Sequence, residues 1–186
     1  MFYQAFIVVC ASWVAFELWL VAFRRSGATA TRKDVGTLKR LNIVIYASVA
    51  AAGFLSTRAL GHIPLPGPVL WTGLVLIIAG VVLRVWAIRS LHRFFTVDVA
   101  IHPDHQLVQS GPYSQVRHPA YSGVLLSFLG LAVCMSNWLS ALVLLVPIAA
   151  VFLQRVRIEE RALNEALPDQ YPAYSTKTAR LIPGIY

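Results

Sequence analysis

Five apolar stretches, each near the length that crosses a bilayer, follow one another along this chain, and no other feature limits its fold so tightly. A helix needs about 20 apolar residues to cross a hydrocarbon core of roughly 30 Å. Ala5 to Phe23, Leu41 to about Leu60, Val69 to about Ile88, Pro119 to about Met135 and Leu139 to about Leu153 meet or approach that length. Of the 186 residues 58% are hydrophobic and 13% charged, against about 45–50% and 25% in soluble domains. Too few charges remain to cover a soluble surface, and a disordered or disulfide-rich secreted chain is excluded. The expected fold class is all-α, a polytopic membrane protein of about five transmembrane helices.

Sixteen Lys and Arg against eight Asp and Glu give a net charge of +8. In so apolar a chain these residues read as topology signals and contacts to membrane lipids, and no nucleic-acid partner is expected. Arg24, Arg25, Arg32, Lys33, Lys39 and Arg40 crowd the first loop. Arg89, Arg93 and Arg117 flank the third, and Arg155, Arg157, Arg161, Lys177 and Arg180 lie in the C-terminal segment. The second loop has only Arg58 and the fourth, Ser136-Asn137-Trp138, has no basic residue. This pattern predicts an N-terminus outside and a C-terminus in the cytoplasm. Met1 to Gln4 carries no basic region, so the first segment is expected to remain as a span. Residues 1–68 are expected to form N-terminal spans with a basic cytosolic loop, and residues 69–186 a core of three spans, one long loop and the tail.

The polar chemistry concentrates in that loop and tail. Pro119 suits a first helical turn, which places His118 at the helix start, where free N–H groups favour an anion. Tyr121 and Gly123 fall in the first turns of the same helix. Arg155 and Glu159 are four apart and share a helix face, whereas Glu160 turns about 100° away. An Arg can hold a carboxylate or phosphate bidentately, and a nearby carboxylate can hold an ammonium, a ribose diol or a sulfonium-bearing ligand. A membrane-interface aromatic belt and a surface salt bridge are the plain structural readings of the two stretches. Cys10 and Cys134 lie far apart in apolar runs and read as packing residues, and the spacing of His92, His102, His105 and His118 fits no metal pattern. No metal is expected. Gly123, Ser127 and Gly130 permit close helix packing. Glu17 inside the first span is costly in lipid, and is expected to face the bundle and hydrogen-bond a neighbour.

Taken in order, His105-Gln-Leu-Val108, Gly111-Pro-Tyr113, Arg117-His-Pro-Ala-Tyr121, Arg155-x-x-x-Glu159-Glu160, Tyr171-Pro-Ala-Tyr174 and Arg180-Leu-Ile-Pro183 resemble the isoprenylcysteine carboxyl methyltransferase family in its short prokaryotic form, over about residues 75 to 186. The resemblance implies an integral membrane enzyme with a cytosolic C-terminal catalytic segment, in a prokaryotic inner membrane. Such an enzyme moves a methyl group from S-adenosylmethionine to a lipophilic substrate entering from the bilayer, most simply an isoprenylcysteine-type carboxylate. It further implies cofactor binding by His105, Gln106, Leu107, Val108, Tyr113, His118, Pro119, Ala120, Tyr121 and Glu159, and contact of Arg155 with the substrate carboxylate. A polar amide that animal relatives carry before the His-x-Leu-Val has no counterpart at Val97 and Asp98.

Methyl transfer from a sulfonium is an in-line displacement, so the protein must chiefly position the nucleophile and exclude water. A carboxylate acceptor is already ionised at pH 7 and requires no strong base. Three other readings stand beside this one: a phospholipid-amine or small-thiol methyltransferase, an NADPH-dependent sterol-type reductase with a similar His-Pro-x-Tyr, and a non-enzymatic membrane scaffold. The Glu159-Glu160 pair and Leu167-Pro-Asp-Gln-Tyr171 favour the methyltransferase over the reductase. Clustered His, Tyr, Arg and Glu in two short segments count against the scaffold.

Overall fold

A computed structural model describes residues 1–24, 31–32, 36–98, 100–101 and 106–185, with only the backbone described at 31, 32, 100 and 101. The helices are α1 (Phe2–Phe23), α2 (Thr37–Ser56), α3 (Gly67–Leu91), α4 (Pro119–Cys134), α5 (Trp138–Ala166) and α6 (Tyr171–Lys177). Each of the five apolar stretches forms a helix, the second as far as Ser56. Four of the helices are long and apolar enough to cross a membrane. The 16 residues of α4 span only about 24 Å. Its shortness is compensated by burial within the bundle, where irregular backbone at its ends meets protein rather than lipid.

Two helices, α2 and α5, and one further element differ most from the sequence-based expectation. Helix α2 begins at Thr37 and stops at Ser56, four residues earlier at each end, because the turn to Gly61 and the proline-rich loop starts at Thr57. Helix α5 runs on to Ala166, well past the apolar segment. A two-residue antiparallel ribbon, β1 (Thr31–Arg32) with β2 (Ala100–Ile101), adds a strand pair to the expected all-α fold.

Small residues set how closely the central helices approach. Gly73 and Gly80 on α3 face Gly130, Ser127 and Gly123 on α4, and a Cβ added at Gly123 would lie 2.5 Å from the Gly80 carbonyl oxygen. One added at Gly130 would lie 2.4 Å from that of Gly73. No side chain larger than hydrogen fits between these backbones. The hydroxyl of Ser127 donates to the carbonyl of Ile77, 3.2 Å away, and completes the α3–α4 seam. Cys10 and Cys134 are free thiols.

Around this pair, α1 packs on α3 and α2 packs on α5. Glu17 meets Arg84 of α3 as the sequence led one to expect: Arg84 Nε lies 2.7 Å from Oε1, and Nη2 donates to Oε2 at 2.9 Å. A bidentate pair removes most of the cost of a lone carboxylate in lipid. The α4–α5 hairpin closes at Ser136, whose φ of 49° is left-handed. Asn137 then caps α5 by accepting from the Ser140 amide at 3.0 Å, and donates to the Leu60 carbonyl at 2.9 Å. Those bonds gather the end of α2, the end of α4 and the start of α5 at one face. At the other, the Val97 amide donates to the Arg24 carbonyl at the end of α1, and Arg155 reaches Thr37 at the start of α2. Successive helices therefore alternate in direction, and the site lies at this second face.

Candidate active site

The start of α4 is built by the tail. His118 is its N-cap and Pro119 takes the first turn, where a missing N–H costs nothing. The Arg117 and His118 amides donate to the carbonyls of Ala179 (2.8 Å) and Arg180 (3.1 Å). Tail carbonyls thus meet the helix start that the sequence offered to an anion. The Ser122 hydroxyl donates to the Leu181 carbonyl at 2.6 Å, and Tyr174 donates to the Tyr113 carbonyl at 2.7 Å.

Glu160 holds this arrangement together. Its carboxylate lies 3.0 Å from Arg117 Nε and 3.1 Å from Arg180 Nε. Arg117 Nη1 also donates to the carbonyls of Ser175 and Thr178. The Glu160 side chain is about nine-tenths buried, so both cations are needed to offset its desolvation. Turned away on the same helix, Glu159 is 31% exposed. It accepts a 2.7 Å hydrogen bond from Tyr121, whose hydroxyl in turn accepts one of 3.0 Å from Arg155 Nε. His118, almost wholly buried, stands between the two carboxylates, Nδ1 at 3.8 Å from Glu159 and Nε2 at 3.6 Å from Glu160. The two adjacent glutamates therefore do different work, one bracing the tail and the other presenting an open oxygen.

Below this polar head a cavity of about 630 Å³ runs between the helices. Gln106, Leu107, Val108, Tyr113, His118, Ala120, Tyr121, Arg155 and Glu159 all line it. Pro119 does not: it is buried and serves to start α4. His105 lies outside the described residues. Arg155 is almost wholly buried, with Nε on Tyr121, Nη1 on the Thr37 hydroxyl at 3.3 Å and Nη2 on the Val97 carbonyl. It joins α5 to α2, to the loop after α3 and to α4, and presents the cavity with a fixed positive charge more than an open fork.

The tyrosines are held neutral. Burial, and then the charge of Glu159, raise the Tyr113 hydroxyl well above its usual range. Burial likewise raises Tyr171, and pushes Tyr174 up to about 12 against the opposing influence of its Thr178 hydrogen bond and Arg117. At neutral pH these groups are hydrogen-bond donors, not phenolate bases. Among the described residues no group of His, Cys, Asp and Glu is arranged to hold a metal.

Sequence reasoning did not assign Arg84, Glu160, Arg117, Tyr171 or Tyr174 to the site. Arg117, Glu160 and the two tyrosines stood inside quoted motifs. The 100° between Glu159 and Glu160 was the available signal that one of the pair faces elsewhere.

This geometry defines an integral membrane protein of alternating apolar helices with a polar site over an intramembrane cavity. The profile of the isoprenylcysteine carboxyl methyltransferase (ICMT) family matches residues 72–165, and the chain belongs to that family. It is 35% identical over 113 residues to protein-S-isoprenylcysteine O-methyltransferase B of Arabidopsis thaliana, covering 60% of this chain and 57% of that one. To the protein-S-isoprenylcysteine O-methyltransferase of Saccharomyces cerevisiae it is 32% identical over 115 residues, 61% of this chain and 48% of the other. The structure of the eukaryotic intramembrane Ras methyltransferase ICMT superposes with a TM-score of 0.63 at 26% identity, over 79% of this chain and 53% of that one. The chain thus matches a little over half the length of the plant relative.

Proposed function

We propose that this protein is an integral membrane methyltransferase that moves a methyl group from S-adenosylmethionine to a lipophilic acceptor, an isoprenylcysteine-type carboxylate. One observation carries the reading. A single cavity joins a polar head containing Glu159, His118 and Tyr121 to apolar walls on α1 and α2, so a charged donor and a membrane lipophile can meet without crossing bulk water.

The residues fit the cofactor. Glu159 offers carboxylate oxygen to an ammonium, and the buried Tyr171 hydroxyl has no hydrogen-bond partner among the described residues. Leu107 and Val108 offer apolar surface to a purine. When bound, S-adenosylmethionine supplies an electrophilic methyl whose sulfonium becomes a neutral thioether as an acceptor carboxylate oxygen attacks. His118 and Ala120 line the wall at the α4 start, which Pro119 begins from within the protein, while Tyr121 orients Glu159. Arg155 provides positive charge for the acceptor carboxylate and fixes Tyr121. The tail, clamped by Glu160, keeps water from the head of the cavity, where water would compete as nucleophile.

The lipophile enters sideways. Helices α1 and α2 both line the cavity, yet each rests on a different partner, α3 and α5, which leaves the seam between them as the route from the bilayer. The site-bearing face is cytoplasmic, since Arg24, Lys39, Arg40, Arg89, Arg93 and the basic tail lie there and Arg58 on the other side. Residues 69–186 form the transferring core, and residues 1–68 add the wall against which the acceptor lies.

Calorimetric titration of the solubilised chain with S-adenosylhomocysteine and with NADPH, followed by radiolabelled methyl transfer to farnesylcysteine, tests the proposal. Binding of the first ligand alone and a methyl ester product are expected. Binding of NADPH alone would overturn it in favour of a reductase.

A further inference from the structure

The cavity faces of α1 and α2 are largely apolar stripes at helical spacing, and besides the Tyr46 phenol on α2 each carries one strongly polar side chain. On α1, Trp13, Leu18 and Val21 surround Glu17, and on α2, Leu41, Ile45 and Val49 surround Asn42. Glu17 lies six residues before the end of α1 and Asn42 five residues after the start of α2. At 1.5 Å per residue these are depths of about 9 and 7.5 Å beneath the same face, so the two side chains stand at one level. Both helices precede the family match at residue 72. The shared core does not determine what they present.

Glu17 is only partly used by Arg84. An ionised carboxylate has about four acceptor positions; Arg84 occupies two, and the Glu17 side chain remains 30% exposed among apolar neighbours on the cavity face of α1. Asn42 has no hydrogen-bond partner among the described residues, although its amide has both a carbonyl and an NH2 to satisfy. Polar groups without partners at membrane depth cost free energy unless a ligand pairs them. The level therefore offers acceptors from Glu17 and from the Asn42 carbonyl, with one amide donor beside them.

We infer that Glu17 and Asn42 are specificity-determining residues that read an N–H donor on the lipophilic acceptor, at a point between its methyl-accepting carboxylate and its hydrocarbon tail. The donor is an ammonium or a secondary amide N–H. A secondary amide matches both residues, its N–H toward Glu17 and its C=O toward the Asn42 NH2. The inference rests on the proposed acceptor class, and adds that a bare lipophilic acid is a poor ligand.

The test uses the detergent-solubilised full chain and three probes: a farnesyl thioether acid with no nitrogen, farnesylcysteine with its free ammonium, and N-acetyl farnesylcysteine. Equilibrium binding is measured first, and methyl transfer separately. Wild type should bind at least one nitrogen-bearing probe about tenfold more tightly than the nitrogen-free acid, the gain of one hydrogen bond to a charged group. Asn42→Leu and Glu17→Gln should each narrow that gap to about threefold or less, while affinity for the nitrogen-free acid stays within about twofold. Preference for the N-acetyl probe would identify the amide, and preference for farnesylcysteine the ammonium. If Glu17→Gln fails to fold because Arg84 loses its partner, Asn42→Leu alone decides. Equal binding of all three by wild type, or an undiminished gap in Asn42→Leu, overturns this inference with the methyltransferase reading intact. Binding by none of the three overturns both.

Discussion

Tyr121 and Glu159 are joined by a 2.7 Å hydrogen bond that the tyrosine donates, and the bond separates the roles of two adjacent glutamates. Glu159 is oriented from α4 and open to the cavity, whereas Glu160, one residue on, is consumed by Arg117 and Arg180. Substituting them should have opposite signatures. Glu159→Gln should lower S-adenosylhomocysteine affinity roughly tenfold to a hundredfold, the loss of a charged hydrogen bond, with little change in melting temperature. Glu160→Gln should cost about 3 kcal/mol of stability by removing the carboxylate that pairs the buried Arg117 guanidinium, and expose the tail to limited proteolysis. Calorimetric titration and thermal melts on both variants check the split, and a Glu160→Gln variant as stable as wild type would remove Glu160 from its bracing role.

The α3–α4 seam should not tolerate a methyl group. Gly123→Ala places its Cβ against the Gly80 carbonyl, and the helices must separate or the backbone shift, at about 1–3 kcal/mol. The same change at Gly53, within α2 and with an added Cβ that meets nothing within 4 Å, should be neutral to stabilising by about 0.5–1 kcal/mol, because alanine is the better helix former. Melting temperatures of the two purified variants give the comparison directly.

Tail docking should fail on the alkaline side. Tyr174 donates to the Tyr113 carbonyl as a neutral phenol, and its pKa is pushed up to about 12 from an ordinary value near 10. A group whose folded pKa is raised contributes stability that is complete below its unfolded pKa and is lost as pH rises through the folded one. The stability difference between wild type and Tyr174→Phe should hold constant to about pH 10 and close by about pH 12. Phenolate absorbance followed alongside thermal melts tests this, and a difference that survives beyond that range contradicts it.

Much of this could be read from the residues beforehand. The five apolar helices, the α4–α5 hairpin, His118 at a helix start and an internal partner for Glu17 all follow from apolar length, Pro119 and the cost of a charge in lipid, whereas the short α6 does not. Long-range pairing did not follow. Nothing local to Glu160 indicates that Arg117 and Arg180, 43 and 20 residues away, converge on it. The start of α2 at Thr37 was hidden because Lys39 and Arg40 interrupt the apolar pattern while remaining helical. The occupied guanidinium of Arg155 was equally invisible, since its partners Thr37, Val97 and Tyr121 come from three separate segments.

The orientation has its own test. In a background of Cys10→Ser and Cys134→Ala, a cysteine at exposed Thr176 should react only with reagents admitted to the cytoplasm, and one at Gly67 with impermeant reagent outside. Labelling of both from one side would refute the alternating topology.

Arg155 offers a last discrimination, between reading the acceptor carboxylate and supporting the site. Its Nε bond to Tyr121, at 3.0 Å, positions the hydroxyl that orients Glu159. Lysine keeps the positive charge but has neither the planar fork nor the reach to Tyr121, Thr37 and Val97 together. Arg155→Lys should therefore lower turnover about tenfold or more while cofactor affinity falls less. If the charge also attracts the acceptor carboxylate, wild type should discriminate strongly between a prenylcysteine and its carboxamide in binding, and the lysine variant should retain part of that preference because the charge remains. Arg155→Met, which removes the charge and keeps an apolar stem, should abolish it. The measurement is binding of both probes to all three proteins, with the methylation rate of the prenylcysteine alongside. Unchanged preference for the carboxylate in Arg155→Met would show that the arginine acts only through Tyr121 and that another group receives the acceptor's charge.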